Sequence, residues 1–288
     1  MASGGYRRPI APKPASNLSF QEDRFQPDAS RMRYATGTLS ISASRDIPLL
    51  LHVRNSRFIT HRQLYELAHL AACEHLRESF NWRMKRLVNA GYLSTIQGNF
   101  GNGAIVYRIA RPGLVQLENH GKFAALLNSG TQHLPHPSHA YHALELNSIQ
   151  LALARNNVLA SWQSDVETAS LNTVSAQPLE KDYDAIVDVW NNNTMSRFAL
   201  EYERTLKSAR QYERIRRALE VEDKLNCILY LTAGPEISLY LANEFSGIPK
   251  RLAFVTAAAF RTNLLDTMVL THPADAESPF RNQLRGIL

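Results

Sequence analysis

The chain has 288 residues, of which 44% are hydrophobic and 20% are charged, and its formal net charge at pH 7 is +6. These are values of a globular protein long enough for one large or two ordinary domains. No apolar run approaches the roughly 20 residues of a membrane span, and the N-terminus lacks the apolar core of a secretory signal, so we expect a soluble, cytoplasmic protein with no membrane partner.

The charge is unevenly distributed along the chain. Residues 1–112 contain 16 Lys and Arg against 7 Asp and Glu, a net charge of +9, whereas residues 113–288 contain 16 against 19, a net charge of −3. Such asymmetry indicates a module that binds a polyanion, joined to a second domain of a different kind.

The first predicted elements follow an N-terminal arm. Residues 1–46 contain four prolines and no sustained hydrophobic period, which predicts an extended or disordered segment. From residue 47 the pattern becomes helical, with the apolar run IPLLLHVRN, then HRQLYELAHL behind Thr60 as N-cap, then LRESFNWRMKRLVNAGYL ending at Gly91. Two β-rich runs around a tip rich in glycine and asparagine follow and predict a hairpin. Three helices and a hairpin predict a winged helix-turn-helix over residues 47–112.

The third helix of this unit carries a cationic surface beside an apolar stripe. Arg and Asn side chains on such a helix can read base edges in a DNA groove, while other cations contact phosphates. The hairpin tip would lie along the adjacent backbone. We expect Trp82 to be a half-buried packing residue rather than one that stacks on bases. The residues predicted to contact double-stranded DNA are Arg62, Arg77, Asn81, Arg83, Lys85, Arg86, Asn99, Asn102 and Arg108. The alternative is a winged helix used for contacts between proteins.

The rest of the chain is predicted to hold a connection, a second domain and a tail. Residues 113–146 are interpreted as a connecting helix, over LVQLENHGKFAALL, and a loop. Residues 147–272 alternate in the order αβββαβαβ, which indicates a mixed sheet flanked by helices. Residues 273–288 are interpreted as a C-terminal tail. The predicted fold class is therefore α/β, of the α+β type.

Four carboxylates lie on two predicted neighbouring strands. Asp184 and Asp188 share one face of YDAIVDVW, and Glu201 and Glu203 share one face of RFALEYER. Four converging carboxylates would repel one another unless divalent cations, basic partners or solvent offset the repulsion. Lys207, at the start of the following helix, would be a basic partner close at hand.

The αβββαβ order with Asp184 on the second strand and Glu201 on the third resembles the PD-(D/E)XK nuclease fold, a restriction-endonuclease-like mixed sheet. The resemblance implies that Asp184 and Glu201 hold Mg²⁺ or Mn²⁺ and that a lysine two residues after the Glu assists hydrolysis. That position is Glu203 here, so cleavage would need Lys207 as a substitute, or Glu203 as a third ligand or base. We favour a noncatalytic domain and keep a metal-dependent DNA endonuclease as the alternative.

Several short segments carry a further resemblance, namely VYRIARPGLVQL, His142 through Asn147, Trp162 with Glu167, Asp184, and the run Glu201–Thr205 followed by a helix. Over roughly residues 47–240 the chain resembles the replication-relaxation proteins of bacterial plasmids and mobile elements. The resemblance implies DNA as the partner and a role in plasmid replication, relaxation or mobilisation. Glu203 stands where that family commonly has Asp.

Two other groups of residues leave alternatives open. Histidines at intervals of three raise the possibility of a zinc site, but the prolines among them disfavour a helix and no cysteine joins them, so we favour a polar loop. These histidines are His133, His136, His139 and His142. The helix from Leu206 to about Asp223 carries arginines mostly off its apolar stripe, either as a solvated face or as an extension of the DNA footprint. These arginines are Arg210, Arg214, Arg216 and Arg217.

These patterns predict a DNA-binding protein of a mobile element, acting as a regulator or accessory factor in replication, relaxation or mobilisation. The second hypothesis is the endonuclease. The third is an interaction module that recruits a relaxase or a replication protein. A homodimer is a further possibility, because many winged-helix proteins read paired half-sites. No phosphate-binding loop, dinucleotide fingerprint or nucleophile elbow is found, so ATPase and dehydrogenase functions have no support.

Overall fold

The computed structural model describes residues 40–96, 100, 103–125, 139–272 and 278–288. The predicted arm up to residue 39, and the hairpin-tip residues Asn99 and Asn102, lie outside the described residues. We refer to residues 40–125 as the N-terminal unit and to residues 139–288 as the sheet unit.

The N-terminal unit follows the predicted order of three helices and a hairpin. Its elements are α1 (Asp46–Ser56), β1 (Ile59–Thr60), α2 (His61–Leu70), α3 (Arg77–Asn89), β2 (Leu93–Ile96), β3 (Val106–Ile109) and α4 (Arg111–Asn119). The strands form an antiparallel sheet in the order β1-β3-β2. Thr60 caps α2 and Gly91 adopts a φ of 74° just after α3, as the sequence predicts.

The helix predicted to connect the two domains belongs to the N-terminal core instead. Leu114 and Leu117 of α4 pack with apolar residues of α1, α2 and α3. The helix ends at Asn119, earlier than predicted, and Gly121 follows it with a φ of 71°. The boundary at residue 112 therefore divides one core, because α4 provides the apolar side chains that close it.

The sheet unit is a mixed sheet covered by helices on both faces, so the predicted α+β class is confirmed. Among the described residues seven strands lie in the order β10-β9-β8-β7-β6-β5-β4, with β6, β7 and β8 parallel and the other pairs antiparallel. The elements are α5 (Ala140–Arg155), β4 (Leu159–Ser164), α6 (Asp165–Val174), β5 (Ala185–Asn191), β6 (Thr194–Glu203), α7 (Ala209–Val221), β7 (Cys227–Thr232), α8 (Pro235–Glu244), β8 (Arg251–Thr256), α9 (Ala257–Asn263), β9 (Met268–Thr271), β10 (Phe280–Gln283) and α10 (Leu284–Ile287).

The interpretation of residues 273–288 as a tail is wrong for the described residues 278–288. Phe280 pairs with Thr271, so β10 extends the sheet as its edge strand. Leu284 of α10 is fully buried in the core on one face of the sheet. The short strand lacks the apolar alternation that would have revealed it, because most of its side chains are exposed.

Helix α5 joins the two units. Ile149 and Leu153 pack in the core on the sheet, whereas Leu151 packs in the N-terminal core. Asn147 Nδ2 donates a hydrogen bond of 2.8 Å to the carbonyl of Phe58, which precedes β1. The two units are therefore packed through a shared helix. In the described part of the chain, every helix is too short or too polar to cross a membrane.

Candidate functional site

A cavity of about 1300 Å³ lies between the N-terminal unit and the sheet unit, beside α5. Its walls come from α1 and the end of α2 on one side, and from α5, β4 and the end of β6 on the other. The charged residues that line it are Arg57, His142, Asp165, Glu167, Lys181, Asp184, Glu201, Glu203, Arg204 and Lys207. The cavity therefore collects most of the acidic residues that the sequence singled out.

Asp184 lies beside Glu201 because β5 and β6 are antiparallel, with Ala185 paired to Leu200. Asp184 Oδ2 accepts a hydrogen bond of 2.7 Å from the backbone N–H of Tyr202, and Oδ1 lies 3.1 Å from His142 Nε2. Burial alone would raise the pKa of Asp184, but the hydrogen bond to His142, the charge of His142 and the Tyr202 N–H together lower it. These contacts favour the ionised form of Asp184, which residues of α5 and β6 hold in place.

Glu201 is buried next to Asp184 and faces Lys181. The Lys181 Nζ lies 2.7 Å from Glu201 Oε1. Burial raises the pKa of Glu201, and the charge of Asp184 adds to this, while Lys181 opposes it. The sequence analysis missed Lys181, which lies in the segment before β5, outside any periodic pattern. Its position three residues before Asp184 is the one signal that could have found it.

Glu203 and Lys207 form an ion pair beside the cavity. Glu203 is the last residue of β6 and is buried, whereas Lys207 precedes α7. The residue two positions after Glu201 is thus an acid, and its cation comes from the loop between β6 and α7.

Asp188 does not join the other three acids, so the expected convergence of four carboxylates is wrong. It pairs with Arg197 across β5 and β6, at 2.7 Å and 2.9 Å, and accepts a hydrogen bond of 2.6 Å from Ser161 Oγ. Four residues along a strand separate two side chains by about 13 Å. Asp188 is therefore too far from Asp184 to share a ligand with it.

The opposite wall of the cavity carries an ion pair between the two units. Arg57 Nε, just after α1, lies 2.5 Å from Asp165 Oδ2, at the start of α6. Burial raises the pKa of Asp165, and Arg57 opposes this effect. This contact ties the N-terminal unit directly to the sheet unit beside the cavity.

Carboxylate oxygens are ligands that Mg²⁺ and Mn²⁺ accept, but here the carboxylates already have protein cations or histidine as partners. Within the described ranges no group of three or more His, Cys, Asp and Glu is arranged to hold a metal ion. An ion bound by Asp184 and Glu201 would have to displace Lys181 or His142. The arrangement does not fit a metal without such rearrangement.

The histidine hypothesis is tested only in part. His133 and His136 lie outside the described residues. His139 precedes α5, and His142 lies in the first turn of that helix, bonded to Asp184. His142 therefore belongs to the acidic cavity rather than to a polar loop.

Two of the cations predicted to contact DNA are engaged inside the protein. Arg83 is buried, with its guanidinium 2.8 Å from Asp46 and 2.7 Å from Glu74, which are both fully buried. Arg86 lies 2.5 Å from the same Asp46, and 14% of its side chain is exposed. These positions do not support the prediction that Arg83 and Arg86 face a DNA groove, because they neutralise carboxylates in the core.

Other predicted DNA contacts are accessible on α3. Arg77, Asn81 and Lys85 are exposed at intervals of four residues, so they form one face. Trp82 is 56% exposed beside this face, with the Arg86 guanidinium 5.0 Å from its ring centre, so the expectation of half-buried packing is wrong. On α2, Arg62 is exposed but pairs with Glu66 at 2.9 Å, and on β3, Arg108 donates to Ser94 Oγ at 2.9 Å.

Most of the segments that carry the family resemblance meet in the cavity, whereas VYRIARPGLVQL forms β3 and the start of α4 in the N-terminal unit. His142 and Asn147 come from α5, Trp162 from β4, Glu167 from α6, and the acidic run from the end of β6, and all of them line it. No curated protein and no protein of solved structure matches the chain. The family described as replication-relaxation matches residues 50–226. Because this match covers more than half of the chain, the protein belongs to the replication-relaxation family.

Proposed function

We propose that the protein binds double-stranded DNA and acts as a regulator or accessory factor in the replication, relaxation or mobilisation of a plasmid or other mobile element. In this proposal the N-terminal unit is a winged helix that holds the duplex, and the protein works in the cytoplasm. The family membership supports a role in replication or relaxation. The α3 face supports DNA as the ligand.

The exposed face of α3 carries the proposal. Arg77 and Lys85 bring positive charge, and Asn81 brings an amide that can read a base edge. Arg77 also lies over the Tyr65 ring, 5.1 Å from its centre, and Asn81 is bonded to His61 at 2.8 Å, so both side chains are held in place from α2. A helix face with positioned Arg and Asn side chains suits the major groove.

The experiment is a titration of labelled duplex DNA with the full chain at several salt concentrations. Each phosphate contact adds about 0.9 to the magnitude of the slope of log K against log salt concentration. We expect the slope of the double variant Arg77→Gln and Lys85→Gln to be smaller in magnitude by about 2. The control is Arg281→Gln, which removes an exposed cation from the distant edge strand β10. An unchanged slope in the double variant would contradict the α3 interface, and no DNA binding by the wild type would favour a protein-recruiting module for a relaxase or replication protein.

A second candidate function is metal-dependent DNA cleavage, which would require a metal to displace the present partners of the acids in the cavity. Asp184, Glu201 and Glu203 come together there with Lys181 and Lys207, which are groups that could bind and orient a phosphodiester. The three acids are already partnered, so we rank this function below DNA binding.

Nicking of supercoiled DNA tests the second function. Incubation with Mg²⁺ or Mn²⁺, compared with EDTA, shows whether nicking depends on a metal, and the variants show whether it comes from this site. Asp184→Asn should abolish such nicking without weakening DNA binding. Asp188→Asn should leave nicking intact, since Asp188 lies on β5 and does not line the cavity. Nicking that survives Asp184→Asn would exclude this site as its origin.

A further inference from the structure

Helix α7 has two opposite faces. Tyr212 and Leu219 are fully buried against the sheet, whereas Arg210, Arg214 and Arg217 are exposed. The arginines follow one another at intervals of four and three residues, which places them on one side of a helix. The outer surface of α7 is therefore a row of guanidinium groups.

This helix concentrates positive charge in an otherwise acidic part of the chain. Residues 204–221 contain 6 Lys and Arg against 2 Asp and Glu, a net charge of +4. The other residues of 113–288 contain 10 against 17, a net charge of −7. The sheet unit thus has one local surface whose sign suits a polyanion.

The arginines of α7 differ in how they are held. Arg217 pairs with Glu213, and Arg216 donates to the carbonyls of Glu244 and Ser246, so Arg216 ties α7 to the end of α8. Arg210 and Arg214 form no ion pair within the described part of the chain. Like charges four residues apart destabilise a helix slightly, so this pair does not serve the fold.

The row of arginines begins at the cavity. Arg204 and Lys207 line the cavity immediately before α7, and Ile215 of α7 lines it as well. The start of α7 therefore lies next to the cavity, and the exposed arginines continue from there along the outer side of the helix.

We propose that α7 binds the phosphate backbone of DNA through Arg210 and Arg214, as a second contact surface beside the cavity and separate from α3. This inference rests on the proposed DNA-binding function. Guanidinium groups donate two parallel hydrogen bonds to phosphate oxygens, and an exposed row of them tracks a backbone without reading bases. The contact adds affinity that does not depend on sequence, and it holds DNA next to the acidic cavity.

The test compares salt dependence in three variants of the full chain. The double variant Arg210→Gln and Arg214→Gln should have a slope of log K against log salt concentration that is smaller in magnitude by about 2. The decrease should be the same for labelled duplexes of unrelated sequence. Gln keeps the helix propensity, so the circular dichroism spectrum should be unchanged. Arg281→Gln, the control on β10, should keep the wild-type slope.

The outcomes separate the inference from the function on which it rests. A double variant of α7 that binds with the wild-type slope, while the α3 double variant loses slope, would overturn the inference and leave the proposed function standing. A wild-type protein that binds no DNA would overturn both. We expect the α3 double variant and the α7 double variant each to show a slope of smaller magnitude than the wild type.

Discussion

Arg83 Nη1 lies 2.8 Å from Asp46 Oδ1, a contact that ties α3 to the first residue of α1. The same guanidinium lies 2.7 Å from Glu74 Oε1, in the segment between α2 and α3. Both carboxylates are fully buried. Each has a second arginine as partner, because Arg86 also contacts Asp46 and Arg45 also contacts Glu74. Arg83 therefore fixes the position of α3, the helix whose outer face we propose for DNA, without facing DNA itself.

Replacing Arg83 by Met should destabilise the protein strongly. The change removes the shared cation of two buried carboxylates and leaves each with one remaining arginine, so the loss in the free energy of unfolding should approach that of a broken buried ion pair, about 3–5 kcal/mol. Urea denaturation followed by circular dichroism measures the loss. The control Lys85→Gln, two residues away and exposed, should change this free energy by less than about 0.5 kcal/mol. An Arg83→Met protein of wild-type stability with weakened DNA binding would restore Arg83 to the DNA interface.

The sequence predicted elements where periodicity or capping was strong, and failed where a side chain's partner decides its role. The Thr60 cap and the alternation around Asp184 and Glu201 located α2, β5 and β6, because those signals are local. A helical wheel placed Arg83 outside the apolar stripe but could not show Asp46, which is 37 residues away in the chain. Lys181 was missed for the same reason, since its role depends on a strand pairing that brings Glu201 next to Asp184.

Gly113→Ala should destabilise the N-terminal unit, because α4 approaches β2 closely at Gly113. A Cβ atom there would lie 2.3 Å from the carbonyl oxygen of Tyr92 and 2.6 Å from Cδ1 of Ile109. The Tyr92 oxygen belongs to the backbone and accepts a hydrogen bond from Ala110, so it cannot yield without moving β2. We expect the free energy of unfolding, measured by thermal denaturation, to fall by about 1–3 kcal/mol. Gly286→Ala, where a Cβ atom would meet nothing within 4 Å, should be close to neutral, and equal stability of the two variants would contradict the close approach.

Trp82→Ala should have little effect on stability. A tryptophan in a core loses about 3–5 kcal/mol when truncated to alanine. Trp82 is 56% exposed, and its contact with the Arg86 guanidinium is a surface cation–π interaction worth about 0.5–1 kcal/mol. We therefore expect the free energy of unfolding, measured by urea denaturation, to fall by at most about 1 kcal/mol. A loss in the range of a core residue would mean that the ring is packed, as its sequence context had indicated.

The pair formed by His142 and Asp184 should make stability depend on pH above the ordinary titration range of histidine. Burial opposes the charge on His142, but the hydrogen bond and charge of Asp184, with the charges of Glu201 and Asp165, raise the pKa of His142 above its ordinary value of 6.5. The folded state then holds this proton more tightly than the unfolded state does, so the stabilisation is complete below pH 6.5 and is lost as the pH rises through the raised pKa. The difference in free energy of unfolding between wild type and His142→Gln, measured by urea denaturation, should shrink as the pH increases above that value. Asp184→Asn should weaken the same slope, since it removes the largest of the contacts that raise the pKa, while the charges of Glu201 and Asp165 remain. A difference that stays constant across this range would show that His142 keeps one protonation state, and would remove the ion pair from the description of the cavity.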